Sequence, residues 1–128
     1  MKSPKVYFAD VGTLCYLTGL KDAEHAMAGP MGGAILETAV ITEVVRALTH
    51  RGHKAQVYFW RTSTGVEVDL VVDTGAQLVP IEVKSSATPS RSMTRGIGKN
   101  VSKGYLVHPG DIKNPLGPDA MAWPFCDL

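Results

Sequence analysis

The chain has 128 residues, of which 45% are hydrophobic and 20% charged, a composition that suits one globular domain with a buried core. Its formal charge of +1 excludes a surface that binds polyanions everywhere, so any contact with nucleic acid requires a local basic patch. Cys15 and Cys126 stand far apart without metal-ligand spacing, which favours reduced thiols in a cytoplasmic protein over zinc or a disulfide scaffold.

The first thirty or so residues predict one short helix between two irregular segments. No apolar run is long enough to cross a membrane, and residues 5–9 (KVYFA) predict a short strand or extended segment. Asp10 can cap the N terminus of a helix that ends near Gly19. Residues 21–31 mix charge with Gly and Pro, and they predict a loop.

Residues 34–50 predict the longest helix, since apolar side chains recur there at helical spacing. Glu37 falls in one row with Ile41 and Leu48, and we therefore expect it to face inward. The alternative is a purely structural acid, favoured by the helix dipole in the first turn.

Three consecutive strands predict an antiparallel meander. They comprise residues 55–61, 66–72 and 78–84. Alternation of side chains places Glu67 and Asp69 on one face of the second strand, and Glu82 and Lys84 on one face of the third. Carboxylates on neighbouring strands beside an ammonium group are typical of a site for a divalent cation and an activated water. Glu-x-Lys by itself more often forms a cross-strand ion pair.

Basic residues recur every four positions after the meander, at Arg91, Arg95, Lys99 and Lys103. On a helix they would form a stripe able to contact phosphates. The alternative is a solvated face, because Gly96 and Gly98 weaken the helix.

The C-terminal part predicts a buried strand at residues 104–108 and a short edge strand at residues 121–123. The four histidines have no metal-ligand spacing and are predicted to be surface or capping residues.

The order of an inward helical acid, a meander with an acid on its second strand, and Glu-x-Lys on its third resembles the core of the PD-(D/E)xK nuclease superfamily. Four phrases look more closely like one branch, the domain at the C terminus of many prokaryotic AAA+-type ATPases. The phrases are residues 33–37 (GAILE), 58–62 (YFWRT), 67–69 (EVD) and 81–86 (IEVKSS).

The resemblance extends to residues 5–12 and so covers nearly the whole chain. It implies a single α/β domain over residues 1–128, with a restriction-endonuclease-like core in which a helix packs on a mixed sheet. Because the sequence has no Gly-x-x-x-x-Gly-Lys-Ser/Thr loop, we expect the ATPase to be a separate N-terminal part.

The resemblance also implies the roles of individual residues. The ligands of Mg²⁺ or Mn²⁺ would be Glu37, Asp69, Glu82 and the backbone carbonyl of Val83. Lys84 would orient or deprotonate the attacking water, so that Asp69, Glu82 and Lys84 form the catalytic set.

Two positions near the second-strand acid depart from a simple match. Val68 stands where the superfamily motif has Pro, a position that varies among its members. Glu67 is a spare acid that either supports a metal ligand or is a solvated strand residue.

Two functions follow from the sequence. One is a metal-dependent nuclease, or a nuclease-derived DNA-processing domain, that works with an ATPase. The other is a catalytically inactive module that binds DNA or a protein partner, or regulates the ATPase.

Overall fold

The computed structural model describes residues 6–54, 56–61, 67–86, 89–90 and 103–128. In this part of the chain the helices are Val11–Leu17 (α1), Ala23–Ala28 (α2) and Gly32–His50 (α3). The strands are Val57–Arg61 (β1), Glu67–Asp73 (β2), Leu78–Val83 (β3), Gly104–His108 (β4) and Ala120–Pro124 (β5). A 3₁₀ turn follows at Phe125–Asp127. None of these helices is both long and apolar enough to cross a membrane.

The five strands form one mixed sheet in the order β1-β2-β3-β4-β5. The first three strands are antiparallel, which confirms the predicted meander, whereas β4 is parallel to β3 and β5 is parallel to β4. The turn between β2 and β3 uses Gly75 at φ +85°, a backbone conformation that glycine adopts without a steric penalty. The Asp73 carboxylate accepts a hydrogen bond from the Gly75 amide at 2.8 Å and holds this turn.

Helix α1 confirms the predicted cap, because the Asp10 carboxylate accepts a hydrogen bond from the Gly12 amide at 2.9 Å. The predicted loop at residues 21–31 is wrong over α2. Asp22 caps this helix by accepting a hydrogen bond from the His25 amide at 2.6 Å. The sequence AEHAMA that follows consists mainly of good helix formers, and Gly29 with Pro30 only ends the helix.

We expect Asp22→Ala to lower the free energy of unfolding by about 1 kcal/mol, since it removes the side-chain cap of a helix that packs against α3. Asp22→Asn is the matched control, because asparagine also caps. Urea unfolding measures both changes as shifts of the midpoint at constant slope. Equal losses in the two variants would show that the cap contributes nothing.

The core lies between α3 and one face of the sheet. Leu36 and Val40 of α3 are 4% and 0% exposed, and they pack on buried residues of β2, β3 and β4. These residues are Leu70, Val72, Ile81, Val83 and Val107. Ile41, Val44 and Leu48 also pack against this cluster, which confirms the predicted inward row of α3. Since side chains alternate along a strand, Glu82 lies on the opposite face of β3 from Ile81 and Val83.

His108 is a fully buried polar residue at the end of β4. Its Nδ1 accepts a hydrogen bond from the Gly110 amide at 3.1 Å, and its Nε2 donates to the Ile112 carbonyl at 2.7 Å. The ring thus bonds two backbone groups and holds the turn after β4. Of the two predicted roles for histidines, capping is the one found here.

Candidate active site

Asp69 lies where β2 loses regular pairing with both of its neighbours. On the β1 side, Asp69 and Leu70 together oppose the single residue Phe59, which is a β-bulge in β2. On the β3 side, the ladder of paired residues ends at Leu70 and Ile81. The sheet therefore opens at Asp69, and bulges of this kind re-aim side chains beside active sites.

The Asp69 carboxylate fills part of this opening. Its Oδ2 accepts a hydrogen bond from the Val83 amide at 2.8 Å, whereas the next amide, of Lys84, donates to the Val107 carbonyl of β4 at 3.0 Å. Successive amides of a strand point to opposite neighbours, so the Val83 amide faces β2. In extended backbone the carbonyl of a residue points the same way as its amide. The Val83 carbonyl, predicted as a metal ligand, thus lies on the side of Asp69.

Glu82 is the most buried acid of the site, with only 4% of the residue exposed. Burial raises its pKa to about 7, the negative charge of Asp69 raises it in the same direction, and Glu67 and Glu37 add less. Lys84 opposes this shift, with its Nζ 4.0 Å from the Glu82 Oε2. The Lys84 side chain is 44% exposed, so water screens its charge and burial decides the direction.

Glu37 is held by Tyr7, a residue with no role predicted from the sequence. The Tyr7 hydroxyl donates a hydrogen bond to the Glu37 Oε1 at 2.5 Å. Burial raises the pKa of Tyr7, the hydrogen bond to Glu37 adds to it, and the charges of Glu37, Asp69 and Glu67 act in the same direction. Tyr7 therefore keeps its proton and lies close to three of the acids. Residues 6–10 lead into α1 without joining the sheet, so of the two alternatives predicted for residues 5–9, the strand is not found in their described part.

Glu67 belongs to the same electrostatic environment. It is half-buried at the start of β2, and its charge raises the pKa of both Tyr7 and Glu82. The two predicted roles of Glu67, support of a metal ligand and a solvated strand residue, stay predictions.

The four acids share one environment without converging on one point. Within the described ranges, no three His, Cys, Asp or Glu side chains lie close enough together to hold a metal ion as they stand. Glu37 engages Tyr7, and one oxygen of Asp69 engages the Val83 amide. The donor set itself fits Mg²⁺ or Mn²⁺, since it consists of hard oxygens that carry negative charge.

Most of the predicted basic stripe falls on residues that the structure does not describe. Arg91, Arg95 and Lys99 lie outside the described residues, and Lys103 is exposed immediately before β4. The stripe thus stays a prediction.

Comparison with known proteins gives one family. Residues 32–128 match the family described as domain of unknown function DUF4143. Uncharacterised proteins of Mycobacterium bovis and Mycobacterium tuberculosis are each 31% identical over 126 residues, which is 96% of this chain and 28% of theirs. The chain spans little more than a quarter of the length of these relatives. It belongs to the DUF4143 family, whose domains are commonly found in AAA-ATPase-associated proteins.

Proposed function

We propose that this domain has a restriction-endonuclease-like core and acts as a Mg²⁺- or Mn²⁺-dependent nuclease, or a nuclease-derived DNA-processing domain. The observation that carries the proposal is the opening of the sheet at Asp69. There one carboxylate binds the Val83 amide and acts electrostatically on the buried Glu82, whose pKa is raised to about 7. A strand break that concentrates negative charge in a partly buried place is a candidate functional site on physical grounds.

The residues that would hold the cation are Glu37, Asp69, Glu82 and the Val83 carbonyl. When bound, a divalent cation supplies positive charge to a phosphodiester and lowers the pKa of a water molecule. Glu82 must be ionised to serve as a ligand, and its burial disfavours the charged form.

Lys84 and Tyr7 have different tasks in this proposal. Lys84 follows β3 directly, and its partly exposed ammonium group can orient a water or meet charge that develops on the phosphate. Tyr7 keeps Glu37 in place through its hydroxyl.

A second function rests on the hydrogen bonds already made by the acids. Because Glu37 engages Tyr7 and Asp69 engages Val83, the same geometry can be the resting structure of a catalytically inactive module. Such a module would bind DNA or a protein partner, or regulate an ATPase.

The association with an ATPase in the cytoplasm is also part of the proposal. It is supported by the resemblance of the sequence phrases to domains of AAA+-type proteins. The much greater length of the curated relatives is in keeping with it.

Metal binding and cleavage, measured together, separate the two functions. We expect millimolar Mg²⁺ or Mn²⁺ to raise the thermal midpoint, because a ligand that binds only the folded state stabilises it, by about 2.7 kcal/mol at a hundredfold excess over Kd. Asp69→Asn should reduce that gain. Glu43→Gln is the control, since Glu43 is a half-exposed acid of α3 paired with Arg46.

The same protein should cleave at least one of single-stranded, branched or duplex DNA with these metals and none with a chelator. Identical metal responses in wild type and Asp69→Asn would contradict the ligand set. A metal response without cleavage of any DNA would favour the inactive module.

A further inference from the structure

Four basic residues lie together where α3 ends. They are His50, Arg51, His53 and Lys54, and with Gly52 they form an exposed segment that we call the basic turn. Arg51 and Lys54 decide the sign of the formal charge of the chain, which is +1 with them and would be −1 without them. The basic turn is therefore a local basic patch, of the kind that a chain with so small a net charge needs for any contact with nucleic acid.

The backbone of the basic turn is held by its own hydrogen bonds. The Gly52 amide donates to the Thr49 carbonyl at 3.0 Å, and the His53 amide donates to the Leu48 carbonyl at 3.0 Å. These are the two bonds of a Schellman motif, and Gly52 has the positive φ of +76° that the motif requires. Basic side chains can also cap the last carbonyls of a helix, but these two carbonyls already have backbone donors. Capping therefore does not account for the basic side chains.

Ion pairing does not account for them either. Arg46, one helical turn before His50, pairs with Glu43 at 2.6 Å. In contrast, no side chain of the basic turn forms a hydrogen bond or an ion pair with another residue that the structure describes. The sequence contains no acid between Glu43 and Glu67. The positive charge of the basic turn is thus not compensated by its sequence neighbours, and it acts on anions that approach from solvent.

The side chains of the basic turn suit a phosphate backbone better than a protein surface. Arg51 offers a planar fork of N–H donors that matches a phosphate, and Lys54 offers a compact positive charge. Residues 49–54 (THRGHK) include no large apolar side chain. They therefore cannot form the charge-depleted centre of a protein interface or enter a bilayer. Contacts between exposed cations and phosphates need no apolar centre, because the release of counterions supplies the free energy.

The basic turn is too far from the acids to take part in chemistry there. Glu37 and His50 are 13 residues apart on α3, which corresponds to about 20 Å along the helix axis. One strand of a duplex has a phosphate every 3.4 Å or so, and a path along α3 would separate the two contacts by about six nucleotides. The basic turn can therefore anchor a substrate without touching its scissile phosphate.

We propose that the basic turn binds the phosphate backbone of a nucleic acid through Arg51 and Lys54, as an anchoring site separate from the acids. The inference goes beyond the proposed function, because it requires neither a metal ion nor cleavage. The same anchor would serve a nuclease and an inactive DNA-binding module.

Equilibrium binding in a chelator tests the inference. The complete chain is titrated with a fluorescent DNA duplex of about 20 base pairs over a range of salt concentrations. The double variant Arg51→Ala/Lys54→Ala should bind about 10-fold or more weakly at about 0.1 M salt. The slope of log affinity against log salt should fall by about 1.8, since each phosphate contact contributes about 0.9. Arg51→Lys keeps the charge and should leave the slope close to that of wild type.

Arg46→Ala is the matched control for Arg51→Ala. Both variants remove one arginine from the C-terminal half of α3, but Arg46 is already paired with Glu43. Equal effects of the two variants would overturn the inference, because binding would then follow net charge alone. An unchanged slope in the double variant or no binding by wild type would also overturn it. Displacement of the duplex by poly-glutamate at equal charge concentration would assign the basic turn to acidic proteins instead.

Cleavage of the same duplex in Mg²⁺ or Mn²⁺ separates this inference from the proposed nuclease. Binding that depends on Arg51 and Lys54 without any cleavage would support the anchor and count against the nuclease. If the duplex is cleaved, the double variant should raise KM and leave kcat unchanged. Cleavage with the KM of wild type in the double variant would support the nuclease and reject the anchor.

Discussion

Glu82→Gln should stabilise the metal-free protein by about 2–3 kcal/mol at about pH 8, and the gain should vanish near about pH 4. In the folded state burial raises the pKa of Glu82 to about 7 from an ordinary value of 4.5. Between these values the folded state binds a proton that the unfolded chain releases. The contribution of Glu82 to stability is therefore complete below the lower pKa and is lost as the pH rises through the higher one. The glutamine side chain stays neutral, so its contribution to stability does not fall as the pH rises.

Urea unfolding in a chelator across this pH range measures the difference. Glu43→Gln, at a half-exposed acid of α3, is the control for the loss of one carboxylate outside the site. Asp69→Asn should reduce the slope, because the charge of Asp69 is the second cause of the raised pKa. With Mg²⁺ present, wild type should become more stable than Glu82→Gln, because the carboxylate binds the cation and the amide does not. Parallel curves for wild type and Glu82→Gln without metal would show that Glu82 is not held at a raised pKa.

The sheet and the main helix were predictable from periodicity because burial acts on every second residue of a strand and every third or fourth of a helix. That is why alternation placed Glu82 on one face of β3 and helical spacing turned Glu37 inward. Neither inference needed a long-range contact. Helix α2 was not predicted for a local reason, since Gly29 and Pro30 favour a loop whereas the capping residue Asp22 and the helix formers after it favour a helix.

The bulge at Asp69 and the contact of Tyr7 with Glu37 could not be predicted in this way. A bulge is a property of the register between two strands, and the sequence of β2 alternates as regularly through Asp69 as elsewhere. Tyr7 and Glu37 are 30 residues apart and belong to segments that share no periodicity. Only the fold brings the tyrosine to the acids.

If the domain cleaves phosphodiesters, Lys84→Ala should reduce the rate by about 100-fold or more, while metal binding and DNA affinity stay close to those of wild type. The reason is the position of Lys84. Its Nζ is 4.0 Å from the Glu82 Oε2 and its side chain is 44% exposed, so it can act on a water or a phosphate without being needed to hold a cation. An interaction made mainly in the transition state lowers kcat when it is removed. Glu82→Gln should damage metal binding and cleavage together.

The control for the loss of a lysine is Lys113→Ala. Lys113 is 46% exposed, close to the value for Lys84, and it packs 3.8 Å above the ring of Trp123 rather than beside the acids. Removing Lys84 also removes a charge that lowers the pKa of Glu82, so the rates must be compared across pH up to about 9. A loss that disappears at high pH would mean that Lys84 acts only by keeping Glu82 ionised. A loss of rate that persists at high pH, with the rate of Lys113→Ala unchanged, assigns Lys84 to the water or the phosphate. Cleavage that survives in both Lys84→Ala and Glu82→Gln would refute these roles.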